Sequence, residues 1–155
     1  MTKPETGSSA PDFDLPTDGG RTLRLSSLQG RKVVLYFYPK DDTPGCTAEA
    51  IAFNGLRKNF AVANTELVGL SADSPASHDR FKKKHGLTFP LVSDETRKAL
   101  KAYGVWVEKS MYGRTFMGIE RATFLIDADG RIVRIWRNVR VKGHAEAVLE
   151  AAKAI

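Results

Sequence analysis

A cysteine standing three residues after a threonine and seven after a proline is the strongest chemical signal in this chain. The segment Tyr38-Pro39-Lys40-Asp41-Asp42-Thr43-Pro44-Gly45-Cys46-Thr47-Ala48-Glu49 holds the one cysteine, Cys46. Upstream, Val33 to Tyr38 (VVLYFY) is the continuous β-branched and aromatic run of a strand buried on both faces, and Pro39 ends it. Pro44 suits the first position of a helix, which makes Thr43 the N-cap and puts Cys46 in the first turn. Unpaired backbone N–H groups and the positive end of the helix dipole then point towards the sulfur. Cysteines so placed can have pKa values lowered to about 3.5–7.5, and the thiolate is the nucleophile. The chemistry in prospect is attack on an electrophile. A lone cysteine is also commonly a small buried apolar residue. The small and polar neighbours Thr43, Gly45 and Thr47 speak against that filler role, and on these features alone the two readings stand level.

Other chemistries find little support. A single cysteine excludes an internal disulfide, CxxC redox chemistry and a multi-cysteine zinc site. His78, His85 and His144 show no metal-ligand spacing and are expected as surface or capping residues. There is no G-x-G-x-x-G, no P-loop and no nucleophile elbow, so neither a cofactor nor a metal is expected. The net charge of +6 is spread among acids along the chain. Its densest patch, Lys82-Lys83-Lys84 beside His85, reads as a solvated helix face; no aromatic stacking motif accompanies it to make a nucleic-acid site.

The elements that must position Cys46 alternate between strand and helix. Arg21 to Leu25 reads as a short strand after the Asp18-Gly19-Gly20 turn. Beyond Val33–Tyr38, one helix runs from about Pro44 with Phe53, Leu56, Phe60 and Ala63 as its core stripe. Leu67 to Leu70 is the next strand. Ser74-Pro75 caps a helix that reaches His85 and stops at Gly86. Phe89 to Val92 is a strand, Glu95 to Tyr103 a helix, and Trp106 to Gly118 a loop. Thr123–Ile126 and Ile132–Trp136 flank Asp127-Ala128-Asp129-Gly130, a hairpin signal. Gly143 to Ile155 is a closing helix. Apolar residues at 42% and charged residues at 27% of 155 positions fit one globular domain. The order predicts an α/β fold of the thioredoxin-like kind, a mixed central sheet flanked by helices, with an N-terminal β-hairpin extension. That single domain is expected over residues 10–155, behind a flexible tail over residues 1–9. Met1 to Ala10 lacks the apolar core of a signal peptide and no apolar run approaches the ~20 residues of a membrane span, so a cytoplasmic location is expected.

Pro39, Thr43 and Cys46 spell P-x-x-x-T-x-x-C, which resembles the active-site motif of peroxiredoxins. The longer stretch FYPKDDTPGCTAEA is similar to their bacterioferritin-comigratory, or peroxiredoxin Q, branch. Ala10-Pro11-Asp12-Phe13, Ser77-His78-Asp79-Arg80-Phe81, Phe89-Pro90-Leu91-Val92-Ser93-Asp94, Lys109-Ser110-Met111-Tyr112-Gly113 and Gly118 to Asp127 extend the resemblance over nearly the whole chain. It implies a thiol-dependent peroxidase acting on hydrogen peroxide and organic hydroperoxides, with Cys46 as the peroxidatic cysteine. By the same resemblance Thr43 supplies a hydroxyl to the thiolate–peroxide site, and Pro39 shapes and shields it. Arg121 holds the thiolate and polarises the peroxide, and Glu49 braces Arg121. Thr47 and Tyr38 are weaker neighbours. Trp106, Met111, Tyr112, Phe116 and Met117 either line the peroxide entrance or pack over the core.

The chain departs from many relatives in lacking a resolving cysteine: Ile51 occupies one position where they carry it, and Phe81 and Lys82 surround the other. The resemblance then implies a one-cysteine cycle, in which a sulfenic acid on Cys46 is recycled by an external thiol, glutathione with glutaredoxin or thioredoxin. No nucleic-acid or membrane partner is implied, and the chain is expected as a monomer or weak homodimer. Two other classes compete. A redox sensor would use Cys46 oxidation without efficient turnover, and a binding module for nucleic acid or an acidic partner would use the +6 charge.

Overall fold

The computed structural model describes residues 3–155. The chain opens with a short antiparallel pair, β1 (Asp14–Pro16) and β2 (Thr22–Arg24), joined through a 3-10 turn. β3 (Lys32–Phe37) follows, then α1 (Pro44–Gly55), α2 (Arg57–Val62) and β4 (Thr65–Ser71). α3 (Pro75–His85), β5 (Leu91–Ser93) and α4 (Lys98–Ala102) come next. The last third is β6 (Trp106–Met111), β7 (Arg114–Ile119), β8 (Ala122–Ile126), β9 (Ile132–Trp136) and α5 (His144–Lys153).

β3 is central because its residues are apolar on both faces. The five-stranded sheet runs β5-β4-β3-β8-β9, with β3, β4 and β5 parallel and β8 and β9 antiparallel. Alternate side chains go to opposite faces. Val33, Leu35 and Phe37 join one core with Phe13, Leu100, Tyr103 and Val105. Val34, Tyr36 and Tyr38 join the other with Cys46, Phe53, Phe60, Phe81 and Val148. The sheet is therefore packed on both sides, the thioredoxin-like fold the sequence predicts. Among the described residues no helix is long and apolar enough to cross a membrane.

Ser74 caps α3 as expected, accepting from the Ser77 N–H at 3.1 Å, and Gly86 closes it in the left-handed region at φ 64°. The expected helix after Pro44 is instead two. It breaks at Leu56 (φ −102°, ψ 7°), directly after Gly55, a poor helix residue. The break still delivers both Phe53 and Phe60 to one core. The strand expected from Phe89 begins only at Leu91. Pro90 has no N–H to pair, although its carbonyl accepts from Gly69 at 3.1 Å. The helix expected from Glu95 starts at Lys98, because Arg97 takes a left-handed backbone (φ 65°) and Asp94 caps the Leu100 N–H at 2.8 Å.

Two expectations are overturned. The Trp106–Gly118 loop is a regular hairpin, β6 paired to β7 from Trp106↔Ile119 to Met111↔Arg114. Its two-residue turn, Tyr112-Gly113, has positive φ at both positions (53° and 75°), the geometry that matches strand twist. Met111, Tyr112, Phe116 and Met117 are exposed on it, not packed over the core. His78 and His144 are buried, not surface residues: His78 lies between Asp41 and the Val92 carbonyl, and His144 bonds Thr123. His85 remains near the surface, paired with Asp42. Of the tail expected over residues 1–9, Met1 and Thr2 lie outside the described residues. Further along it is tied down: the Gly7 N–H donates to Ile132 O at 2.7 Å, and Ser8 O accepts from Ile132 N–H at 2.9 Å.

Candidate active site

β3 and α1 together present Cys46. The five residues from Pro39 to Thr43 turn the chain from the end of β3 into α1, with Asp42 in the left-handed region at φ 60°. Pro44 occupies the first turn, where a missing N–H costs nothing. Thr43 is the N-cap by backbone (φ −90°, ψ 155°), but its side chain does not cap. Its hydroxyl instead donates to the Lys40 carbonyl at 2.9 Å, closing the loop on itself and leaving the oxygen's lone pairs as acceptors. Cys46 is a free cysteine only 1% exposed, seated at the edge of the Tyr36, Tyr38 and Phe53 core.

Arg121 reaches this sulfur from across the sheet. It directly precedes β8, whose Ala122 pairs with Phe37, so the antiparallel register brings residue 121 beside the end of β3. Nη2 of Arg121 donates to Sγ of Cys46 at 3.4 Å, and Nη1 donates to Oε1 of Glu49 at 2.7 Å. Glu49 lies one turn beyond Cys46 on α1 and its side chain is 1% exposed. Burial pushes its carboxyl up to about 7, outweighing the pull of Arg121. Burial works against the Arg121 charge, but Glu49 and then Cys46 hold its pKa above the usual arginine value. One guanidinium thus spans the sulfur and the carboxylate in fork geometry.

The structure brings Cys46, Arg121 and Glu49 into one hydrogen-bonded group. Pro39 and Thr43 stand at the two ends of the adjoining loop, both half-buried, with Thr43 bonded to Lys40. Three contributors carried no clear signal in the sequence. Gly45 faces the guanidinium: a Cβ there would lie 3.1 Å from Nη2 of Arg121. Lys109 on β6 adds a second cation near the sulfur; burial first, then Arg121, hold its ammonium below the usual lysine value. Asp41 anchors the loop through its backbone and carboxylate. Among the described residues Asp41, Asp73 and His78 also lie close enough to suggest a metal. His78 spends both ring nitrogens, and Asp41 both oxygens, on protein hydrogen bonds, so the cluster is satisfied without one.

The model of the AhpC/TSA family matches residues 6–135. Peroxiredoxin Bcp of Bacillus subtilis is 46% identical over 149 residues, covering 96% of this chain and 95% of that protein. Peroxiredoxin Bcp of Xanthomonas campestris pv. campestris is 49% identical over 147 residues, 94% of this chain and 92% of its own. Among solved structures, Xanthomonas campestris Peroxiredoxin Q superposes with a TM-score of 0.90 at 46% identity, covering 97% of this chain and 96% of that one. A mutant of Xylella fastidiosa PrxQ gives 0.94 at 44% identity, over 99% and 98%. In sequence, in fold and in the P-x-x-x-T-x-x-C segment that opens α1, the chain belongs to the AhpC/TSA family of peroxiredoxins, among its Bcp and peroxiredoxin Q members.

Proposed function

We propose that Cys46 is the peroxidatic sulfur of a one-cysteine peroxidase for hydrogen peroxide and organic hydroperoxides, with Thr43, Arg121 and Pro39 as its partners and Glu49 in support. The observation that carries this is the Arg121 guanidinium, which donates to Sγ at 3.4 Å and is held by Glu49 at 2.7 Å. The thiolate attacks the terminal oxygen of R–O–O–H. An S–O bond forms, the O–O bond breaks, and RO⁻ leaves and takes up a proton as the alcohol or water. Negative charge moves from sulfur to the leaving oxygen, and a preorganised guanidinium beside both stabilises it as it shifts. The Thr43 hydroxyl, its proton committed to Lys40, can accept from the terminal O–H of the peroxide and orient it. Organic substrates are supported by a Xanthomonas campestris relative, whose structures address alkyl peroxide reduction.

The chain has no second thiol. The sulfenic acid therefore condenses with an external thiol, releasing water and leaving a mixed disulfide. A second external thiol displaces Cys46 and is itself oxidised to the disulfide. We assign the donor to glutathione with glutaredoxin or to thioredoxin, the chain acting as a cytoplasmic monomer or weak homodimer. The test is peroxide consumption with dithiothreitol, with glutathione plus glutaredoxin, and with thioredoxin plus its reductase, each beside Cys46→Ser. Multiple turnovers lost in the variant are expected. One stoichiometric burst under every reductant would point to a sensor, and consumption independent of Cys46 would overturn the assignment.

A further inference from the structure

The loop from Pro39 to Thr43 carries two of the proposed site residues, yet its only side-chain bond within itself runs from Thr43 to Lys40. Asp41 fastens it to the body of the fold. The Asp41 N–H donates to Oδ2 of Asp73 at 2.9 Å. Its carboxylate accepts from the Tyr38 hydroxyl at 2.6 Å and the Ser77 hydroxyl at 2.8 Å, and it meets Nδ1 of His78 at 2.7 Å. Asp73 is held in turn by the Ser71 hydroxyl at 2.6 Å. Asp42 adds only an exposed contact with Lys84 and His85.

The protons on His78 follow from its neighbours. Nδ1 faces the Asp41 carboxylate, and Nε2 faces the Val92 carbonyl at 2.9 Å. A carbonyl only accepts, and both Asp41 oxygens already accept from hydroxyls, so the geometry calls for a proton on each ring nitrogen. A neutral ring would set a lone pair against one of them inside a site that excludes water, since His78 is 0% exposed. The titratable groups facing the ring are Tyr38 from the end of β3, with its hydroxyl 3.4 Å from Nδ1, Asp41 from the loop, and Asp73 from beyond β4. β5 presents only the Val92 carbonyl, and the ring's own helix adds Ser77. Burial opposes a charge here, and Asp41 more than restores it, so the ring's pKa is raised.

We propose, on the reading of Cys46 as the peroxidatic sulfur, that His78 is a positioning residue for that reaction. As a buried imidazolium on α3 it ties Asp41 to the Val92 carbonyl of β5, and so holds the Pro39–Thr43 loop in the shape that sets Thr43 and the first turn of α1 around the sulfur. His78 touches no reacting atom. Its effect should therefore fall on peroxide attack, which needs Thr43 aligned, and not on simple nucleophilicity of Cys46.

The experiment has two readouts. Nitrogen NMR of the unaltered chain at neutral pH should show protons on both ring nitrogens of His78. A neutral ring would overturn the proposal whatever the variants do. In rapid kinetics, His78→Gln should slow oxidation of Cys46 by hydrogen peroxide on the order of tenfold or more, while alkylation by iodoacetamide changes less than about twofold. Asp41→Asn should lose as much, and the double variant no more than the worse single one. Ser77→Ala, which removes one donor to Asp41 without leaving a buried charge, should slow the same step more mildly and serves if His78→Gln does not fold. Wild-type oxidation rates in folded His78→Gln, or equal slowing of oxidation and alkylation, would overturn the positioning role. Failure of the unaltered chain to be oxidised at Cys46 would instead overturn the peroxidase reading itself.

Discussion

Gly45 is where a single methyl group tests the site. A Cβ there would crowd Nη2 of Arg121, the atom that bonds the sulfur. Alanine is the better helix former by about 0.5–1 kcal/mol. Gly45→Ala should therefore leave Tm unchanged or raised while slowing Cys46 oxidation by peroxide on the order of tenfold, through a displaced guanidinium; a rate unchanged in peroxide-jump kinetics would show that Arg121 does not need that position. Glu49 makes a prediction in pH. Its folded pKa, about 7, lies above the 4.5 of an ordinary glutamate, so the native state keeps a proton that the unfolded chain gives up. Stability should fall as pH rises from about 4.5 to about 7, by at most on the order of 3 kcal/mol. Glu49→Gln should flatten that part of a plot of Tm against pH. His144 acts on the other flank: burial, then Arg121, lower its pKa to about 4, so its contribution is lost as pH falls from 6.5 through that value. Cys46 and Thr43 stood out in the sequence by their place at the expected start of α1, whereas Arg121 was named only through the resemblance, since its own setting reads as a surface cation. Gly45, Lys109 and the buried charge of His78 were not legible, because residue type does not show what packs against it.

At the scale of elements, local chemistry was readable where it sits in one stretch of chain. The VVLYFY run, the Ser74-Pro75 start of α3 and the Gly86 stop are each decided by neighbours a few residues away. The β6–β7 hairpin was missed for the opposite reason. Its turn places Tyr112, not an asparagine or glycine, at the first positive φ, and its exposed faces lack the alternation of a half-buried strand. The break at Leu56 was likewise hidden under an unbroken apolar stripe. It also makes α1 a separate twelve-residue unit. With Cys46 only 1% exposed, a protein thiol has almost no access to the sulfur in the folded chain. The first turn of α1 should therefore open when Cys46 is held in a mixed disulfide, raising hydrogen exchange over residues 44–50 relative to the reduced chain. Unchanged exchange there would mean that the donor reaches the sulfur along the peroxide's own path.

Across the whole molecule, the two-sided core around β3 was foreseeable from the β-α alternation, whereas the pairing of residues 7–8 onto Ile132 was not, because that contact joins distant parts of the chain. The cations of the site, Arg121 and Lys109, are partly buried, so the net charge of +6 is no guide to the chemistry. With one thiol in 155 residues, oxidised Cys46 has no thiol partner within its own chain. Peroxide without reductant should drive it to the sulfinic acid, seen as a two-oxygen adduct by mass spectrometry; a stable one-oxygen species after prolonged exposure would count against this. The lone cysteine also gives each molecule a memory of one bit. It is set by one encounter and cleared only by others of a different kind. The fraction set at any moment then measures the ratio of peroxide arrival to thiol arrival, so a population of these chains reports a balance between oxidant and reductant that neither concentration states alone.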